Sequence, residues 1–285
     1  MIARKHRYGN LVFDRDAIVR AALRAYFEAI FGQFPFKRLS FAACDYPGWT
    51  GDLQRGAFYN GSLSGDYNVV AWTEAGIVGL AYEIGWGPIE HLDLPVSAVT
   101  GGPDDVRGAL PGLPPELEPA LVLAAGMLLT GEGRMKGDVF VVYGEKLAGV
   151  GFWLHGDHVA GMLFDDPVDV GALQLATWGL LWGGRLLPRT YFCGPEDRAI
   201  VLQCARTTDA PIHALIDRVV DRRLDGPTEL TPEELMMLFP TPPDPEHLLG
   251  VQRMLQKVGI TWPGSPEIPE LPPRKGKNPF TGQPM

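Results

Sequence analysis

The feature that most constrains the fold of this chain is a β-hairpin signature over residues 68–84. Residues 68–72 read Asn-Val-Val-Ala-Trp, the next four read Thr-Glu-Ala-Gly, and residues 77–84 read Ile-Val-Gly-Leu-Ala-Tyr-Glu-Ile. β-branched and aromatic residues on both sides of a short turn that contains glycine are typical of two antiparallel strands. We therefore expect an antiparallel sheet that includes this hairpin.

A second β region predicts a three-stranded meander over residues 138–143, 147–155 and 158–164, with Gly156 and Asp157 as its last turn. Helical spacing of apolar residues and helix-capping signals predict seven helices, at residues 14–31, 116–129, 168–182, 195–206, 211–223, 231–239 and 244–258. A capping box at Thr231–Glu234 and a proline after Asp244 mark the last two helix starts. The expected fold class is α+β, with the hairpin and meander packed against helices and a helical C-terminal section.

The distribution of prolines divides the chain into a body and a tail. Residues 1–258 are predicted to form a single α+β body, with two halves that divide near residues 101–115 as the alternative. Proline removes a hydrogen-bond donor and fixes φ, so the Pro-rich residues 259–285 predict an extended tail.

Charge limits the classes of partner. The net charge is −9, and six of the 25 Lys and Arg residues lie in residues 1–7 and 274–285, which hold no acid. Residues 8–273 therefore carry 19 basic and 34 acidic residues, a net charge of −15. A surface of that sign repels phosphate backbones and attracts basic proteins. We expect a basic protein partner and no nucleic-acid binding by the body.

Motifs for cofactors, membranes and disulfides are missing from the sequence. The three cysteines have no metal-site or disulfide spacing, and the longest apolar run, residues 120–129, is about half the ~20 residues that span a bilayer. No phosphate-binding glycine motif and no serine-hydrolase motif occurs. We expect a cytoplasmic protein without a membrane segment or cofactor, and we assign no catalytic residue.

One candidate binding surface follows the first hairpin. Aromatic and acidic residues lie close together there, and aromatic anchors dominate the energetics of many interfaces. The predicted docking residues are Tyr82, Glu83, Trp86, Glu90 and Asp93. The alternatives are a solvated loop with Trp86 packed inward, and acid–base chemistry by Glu83 and Glu90 with His91.

A second candidate site is the predicted turn that contains His155, Asp157 and His158. If residues 156 and 157 form the turn, the two histidines lie on the same face of directly opposite strand positions, where they could share a metal ion. A third ligand with diagnostic spacing is missing from the sequence, so an exposed polar hairpin tip is the alternative. Cys44 is the best candidate for a thiol nucleophile, although no histidine is tied to it by spacing.

The last residues of the chain carry a resemblance to a known class. Residues 277–284 read Lys-Asn-Pro-Phe-Thr-Gly-Gln-Pro, and this Asn-Pro-Phe-Thr-Gly tail resembles the tails of bacterial proteins that include immunity-type proteins of polymorphic-toxin systems. The hairpin sequence at residues 70–80 is similar to theirs. The resemblance implies a bacterial inhibitor that binds a basic toxin, and an acidic body suits that task through electrostatic steering.

We expect, from these observations together, a non-enzymatic protein-binding protein, with an immunity-type inhibitor as the specific form. A metal-dependent or thiol hydrolase that uses a His/Asp/Glu cluster is the alternative.

Overall fold

A computed structural model describes residues 2–6, 9–13, 15–32, 46–61, 67–82, 110–130, 150–161, 210–241 and 243–265. The described strands are β1 (Ile2–His6), β2 (Gly9–Phe13), β3 (Tyr46–Gly51), β4 (Gly56–Gly61), β5 (Tyr67–Thr73), β6 (Gly76–Tyr82), β7 (Val150–His155), β8 (His158–Ala160), β9 (Thr228–Glu229) and β10 (Ile260–Thr261). The helices are α1 (Arg15–Gly32), α2 (Glu118–Thr130), α3 (Ala210–Asp225), α4 (Pro232–Leu238) and α5 (Pro245–Lys257), and a 3₁₀ turn, Pro115–Leu117, precedes α2.

Six strands form one antiparallel sheet in the order β3-β4-β5-β6-β7-β8. The predicted hairpin is confirmed, because Thr73 pairs with Gly76 around a two-residue turn. The turn at Gly156 and Asp157 is also confirmed, with Gly156 at a φ of +55°. β6 pairs with β7, so the two predicted β regions belong to one sheet, although residues 101–115 lie between them in the sequence. The α+β class is therefore confirmed, while the predicted strand 138–143 lies outside the described residues.

The two faces of the sheet are both covered, and each has its own apolar core. Val70, Trp72 and Ile77 face a core shared with α1, α3 and α5. Val69, Ala71 and Val78 face a second core with α2. This alternation follows from the two-residue period of strand side chains. The first core depends on Gly79, because a Cβ at that position would lie 2.2 Å from Cε1 of Phe152 on the paired strand.

Helix α1 is buried on nearly all sides. The sequence predicts it from Val19, Leu23, Tyr26 and Ile30, which all lie in the core, but residues on its other faces are buried as well. The sheet covers one side of α1, and α3 and α5 cover others. Helices that are buried on most sides are typical of such central positions.

The helical C-terminal section folds back on α1. Of the predicted helices in this part of the chain, those at 211–223, 231–239 and 244–258 are confirmed as α3, α4 and α5. Those at 168–182 and 195–206 lie outside the described residues. Thr231 and Glu234 form the predicted capping box, and Asp244 caps α5.

The first residues of the predicted extended segment 259–285 lie on the body. Ile260 and Thr261 form β10, which pairs in parallel with β9, and Ile260 is fully buried. Residues 266–285 lie outside the described part of the chain. None of the described helices has the length and apolar character to cross a membrane.

Candidate functional site

Most of the docking residues predicted after the first hairpin lie outside the described residues. Tyr82 is the last residue of β6, where it pairs with Tyr67. Glu83, Trp86, Glu90 and Asp93 lie outside the described ranges, and so do His91 and the three cysteines. Their joint role as a docking surface stays a prediction.

The histidine hairpin has the geometry that its sequence predicts. His155 pairs directly with His158 across the turn, and Asp157 is exposed in the turn itself. The His158 ring lies 5.0 Å from that of Trp153, at an interplanar angle of 55°. Among the described residues, no three His, Cys, Asp or Glu side chains come together as a metal-binding group. The described part of the chain thus supplies no third ligand for this pair.

Three turns of the sheet lie at the same end because consecutive strands alternate in direction. These turns join β3 to β4, β5 to β6, and β7 to β8. Each contains an exposed acid, namely Asp52, Glu74 and Asp157. Neighbouring turns are separated by two strand spacings, which is about 10 Å. Three carboxylates from distant parts of the sequence therefore lie along one end of the sheet, at the edge formed by these turns.

Two helical segments add acids to this edge. The N-terminal end of α1 lies there, because Arg15 Nε donates to the Thr73 carbonyl over 2.9 Å, and the next residue, Asp16, is exposed. The 3₁₀ turn lies there as well, because the Leu117 side chain approaches Gly76 and Glu116 is exposed beside it. We call the set Asp16, Asp52, Glu74, Glu116 and Asp157 the acidic turn edge.

The arginines at this end neutralise only part of that charge. Arg15 donates to the carbonyls of Leu53 and Gln54 over 3.2 and 2.7 Å and to the Asp16 carboxylate over 3.0 Å. These bonds hold the β3–β4 turn against the start of α1. Arg55 is exposed in the same turn as Asp52. Arg223 is near enough for its charge to act on Asp52. The five acids outnumber these three arginines, and the edge keeps a negative charge.

Asp52 is held in its ionised form. Its Oδ1 accepts hydrogen bonds from the backbone N–H groups of Arg55 and Gln54, both over 2.8 Å. These bonds, and the charge of Arg223, hold the pKa of Asp52 below its usual range. The carboxylate therefore shapes its turn and carries its charge at neutral pH.

The rest of the described surface is also acidic. Over residues 15–32, 47–59, 69–80, 110–127, 151–161, 210–241 and 243–265, the exposed Arg and Lys residues are three: Arg55, Arg218 and Lys257. The exposed acids in those ranges are eleven: Asp16, Asp52, Glu74, Glu116, Asp157, Asp221, Asp225, Glu229, Glu233, Asp244 and Glu246. The excess of acids in the sequence is thus displayed on the surface.

A second group of charges lies inside the protein. Arg24 and Glu28 are only 4% and 3% exposed, and Arg24 Nη1 donates to Glu28 Oε2 over 2.6 Å. Arg24 Nε donates to Asp217 Oδ1 of α3, also over 2.6 Å. His213 Nδ1 lies 3.4 Å from Arg24 Nη2, which can only donate, so this ring nitrogen is the acceptor.

This buried group joins helices rather than forming a reactive site. Burial lowers the pKa of Arg24, while the bond to Asp217 opposes that shift. The guanidinium is engaged from three directions, so it has little capacity left for a ligand. Sequence reasoning missed Arg24 and Glu28; the available signal was an Arg and a Glu four residues apart inside a long apolar helix.

Comparison with known proteins adds no assignment. No protein-family model, no curated protein and no solved structure matches this chain.

Proposed function

We propose that this protein is a non-enzymatic binding protein that holds a basic protein partner on the acidic turn edge. One observation carries the proposal: five exposed acids, from five segments that are far apart in sequence, lie at one end of the sheet. The predicted partner class is unchanged, but the surface differs from the one predicted from the sequence. Tyr82 ends β6 at the opposite end of the sheet, about 20 Å from Glu74 by the rise of a strand.

The spacing of the acids suits recognition through charge. Neighbouring turns lie about 10 Å apart, which is close to the screening length of about 8 Å at physiological ionic strength. The electrostatic potentials of the acids in neighbouring turns therefore overlap in dilute salt and become separate as salt is added. Complementary charge of this kind raises the rate of association with a basic partner and rejects acidic competitors such as nucleic acids.

The resemblance of the C-terminal tail supports a specific form of this function, an immunity-type inhibitor whose partner is a basic toxin. An inhibitor must capture its toxin quickly, and electrostatic steering raises association rates to about 10⁸–10⁹ M⁻¹s⁻¹ at low salt. An acidic edge on a sheet supplies that steering without a reactive group.

Charge-reversal variants test the proposed surface. Tagged protein should retain a basic protein from a lysate of its source cells at 50 mM salt and release it at 500 mM salt. With that partner purified, E74K and E116K should each slow association by about fivefold at low salt. Surface plasmon resonance at several salt concentrations measures the rate.

The matched control is E246K. Glu246 is exposed near the start of α5. The other end of that helix lies beside Arg223, whose charge acts on Asp52 of the acidic turn edge. Since α5 rises about 1.5 Å per residue, Glu246 lies about 18 Å from the Val258 carbonyl. E246K should change the association rate less than twofold. Equal effects of E74K and E246K, or an acidic captured protein, would refute the proposed function.

A further inference from the structure

Helix α2 is apolar on all of its faces, which is unusual for a helix on the outside of a sheet. Residues 119–129 include no charged residue, although the side of such a helix that faces away from the core is normally polar. Ala120, Leu121, Ala124 and Met127 face the sheet and are buried. On the side that faces away from them, Pro119 and Val122 are exposed.

The outward side of α2 forms an exposed apolar strip. Val122 is 61% exposed, Pro119 is exposed, and Ala125 and Gly126 are half-buried. We call these four residues the outer strip. A Cβ added at Gly126 would meet no atom within 4 Å, so internal packing does not require glycine there. Glycine costs about 1 kcal/mol relative to alanine inside a helix, and the small residues leave room for close approach from outside.

The outer strip is continuous with the acidic turn edge. Glu116 lies one helical turn before the strip begins, and Leu117 fixes that turn against Gly76 at the end of β6. The thirteen residues of α2 extend about 20 Å away from this edge. An apolar strip with acids at one end is complementary to a helix that has an apolar face and basic residues at its end.

We propose that the partner docks a basic amphipathic helix along the outer strip, with its basic residues against Glu116 and Glu74. This inference rests on the proposed function and names the partner element that the site takes. The small residues Ala125 and Gly126 allow the axes of α2 and the partner helix to approach to about 8 Å. The same acids oppose an anionic lipid surface, so charge favours a protein helix over a membrane as the occupant.

A synthetic peptide provides the probe. A fluorescent 18-residue helix with leucines along one face and lysines on the other should bind the whole protein in 50 mM salt, as measured by anisotropy. Two peptides serve as controls: one with the same residues in an order that scatters the leucines, and one with glutamate in place of lysine. Both should bind at least tenfold more weakly.

Two variants address the outer strip itself. V122S removes an exposed apolar side chain, and G126L places a bulky one at a position where an added Cβ meets no atom within 4 Å. Each should weaken peptide binding by about tenfold, the equivalent of one buried aliphatic side chain. The control is M236S, at a side chain that is 64% exposed on α4; it should change the affinity less than twofold.

The outcomes separate this inference from the proposed function. If E74K and E116K weaken peptide binding but V122S and G126L do not, helix docking on the strip is wrong and the acidic surface stands. If none of the four has an effect, both proposals fail.

Two further results would overturn the inference alone. If V122S lowers the unfolding temperature of the isolated protein and M236S does not, another part of the same chain covers the strip. If light scattering shows an oligomer that V122S dissociates, a second copy covers it.

Discussion

The guanidinium group of Arg24 lies between two helices with a carboxylate on each side. Glu28 belongs to the same helix, and Asp217 belongs to α3. Removing an arginine from water is costly, and the cost is offset only when its donors find good acceptors. The hydrogen bond to Asp217 connects α1 to α3.

Replacing Arg24 with methionine should be strongly destabilising. R24M leaves the buried carboxylate of Glu28 without this guanidinium, so we expect a loss of about 3–5 kcal/mol in the free energy of unfolding. Urea denaturation measures it. R20M is the matched control: Arg20 and its partner Asp221 have side chains that are 38% and 60% exposed, and exposed pairs contribute about 1 kcal/mol or less. Similar losses for both variants would show that the buried pair does not determine this contact.

Arg222 connects several elements of the C-terminal section. Its guanidinium donates to Glu234 over 2.7 and 2.8 Å, to the Thr228 hydroxyl over 3.2 Å and to the Glu229 carbonyl over 3.1 Å. Glu234 also accepts from the backbone N–H of Thr231 in the capping box. One ion pair thus holds the end of α3, strand β9 and the start of α4 together.

This ion pair should make stability depend on pH in acid. The bond to Arg222 lowers the pKa of Glu234 from its usual value, with a smaller contribution from the Thr231 N–H. A lowered pKa in the folded state stabilises the protein above the ordinary value of about 4.3, and this contribution is lost as pH falls through the folded value. E234Q should therefore reduce the fall in the free energy of unfolding below about pH 4.3.

Denaturation in urea at several values between pH 3 and pH 7 measures this effect. The control is E233Q, which removes the same charge from an exposed neighbouring position and should keep the pH dependence of the parent chain. Identical pH profiles for E234Q and the parent chain would contradict the assignment.

On the scale of the whole molecule, the segment after α5 completes the core around α1. Val258 and Ile260 are buried in the same cluster as residues of α1, and β10 pairs with β9. Arg223 donates to the Val258 carbonyl. The chain therefore closes its core with residues at the boundary of the body, and Ile260 belongs to the segment 259–285 that was predicted to be an extended tail.

Truncation should reveal the importance of this segment. A chain that ends at Lys257 loses the buried side chains of Val258 and Ile260, so its free energy of unfolding should be at least about 3 kcal/mol below that of a chain ending at Ser265. Guanidinium denaturation of both chains measures the difference. Equal midpoints would show that β10 adds no stability.

Local signals explain what could be predicted from the sequence. The hairpin, which the structure describes over residues 67–82, the turn at Gly156 and the capping box at Thr231 depend on residues only a few positions apart, and each is confirmed. The buried pair of Arg24 and Glu28 was not predicted, because its stability depends on acceptors almost 200 residues away in α3.

The candidate surface differs from the sequence prediction for the same reason. Alternating apolar residues determine that a segment is a strand and which face is buried, because those properties follow from its own side chains. The pairing of β6 with β7 joins residues about 70 positions apart. Only this tertiary choice of hydrogen-bond partners decided that three turns share one end of the sheet and that their acids form one surface.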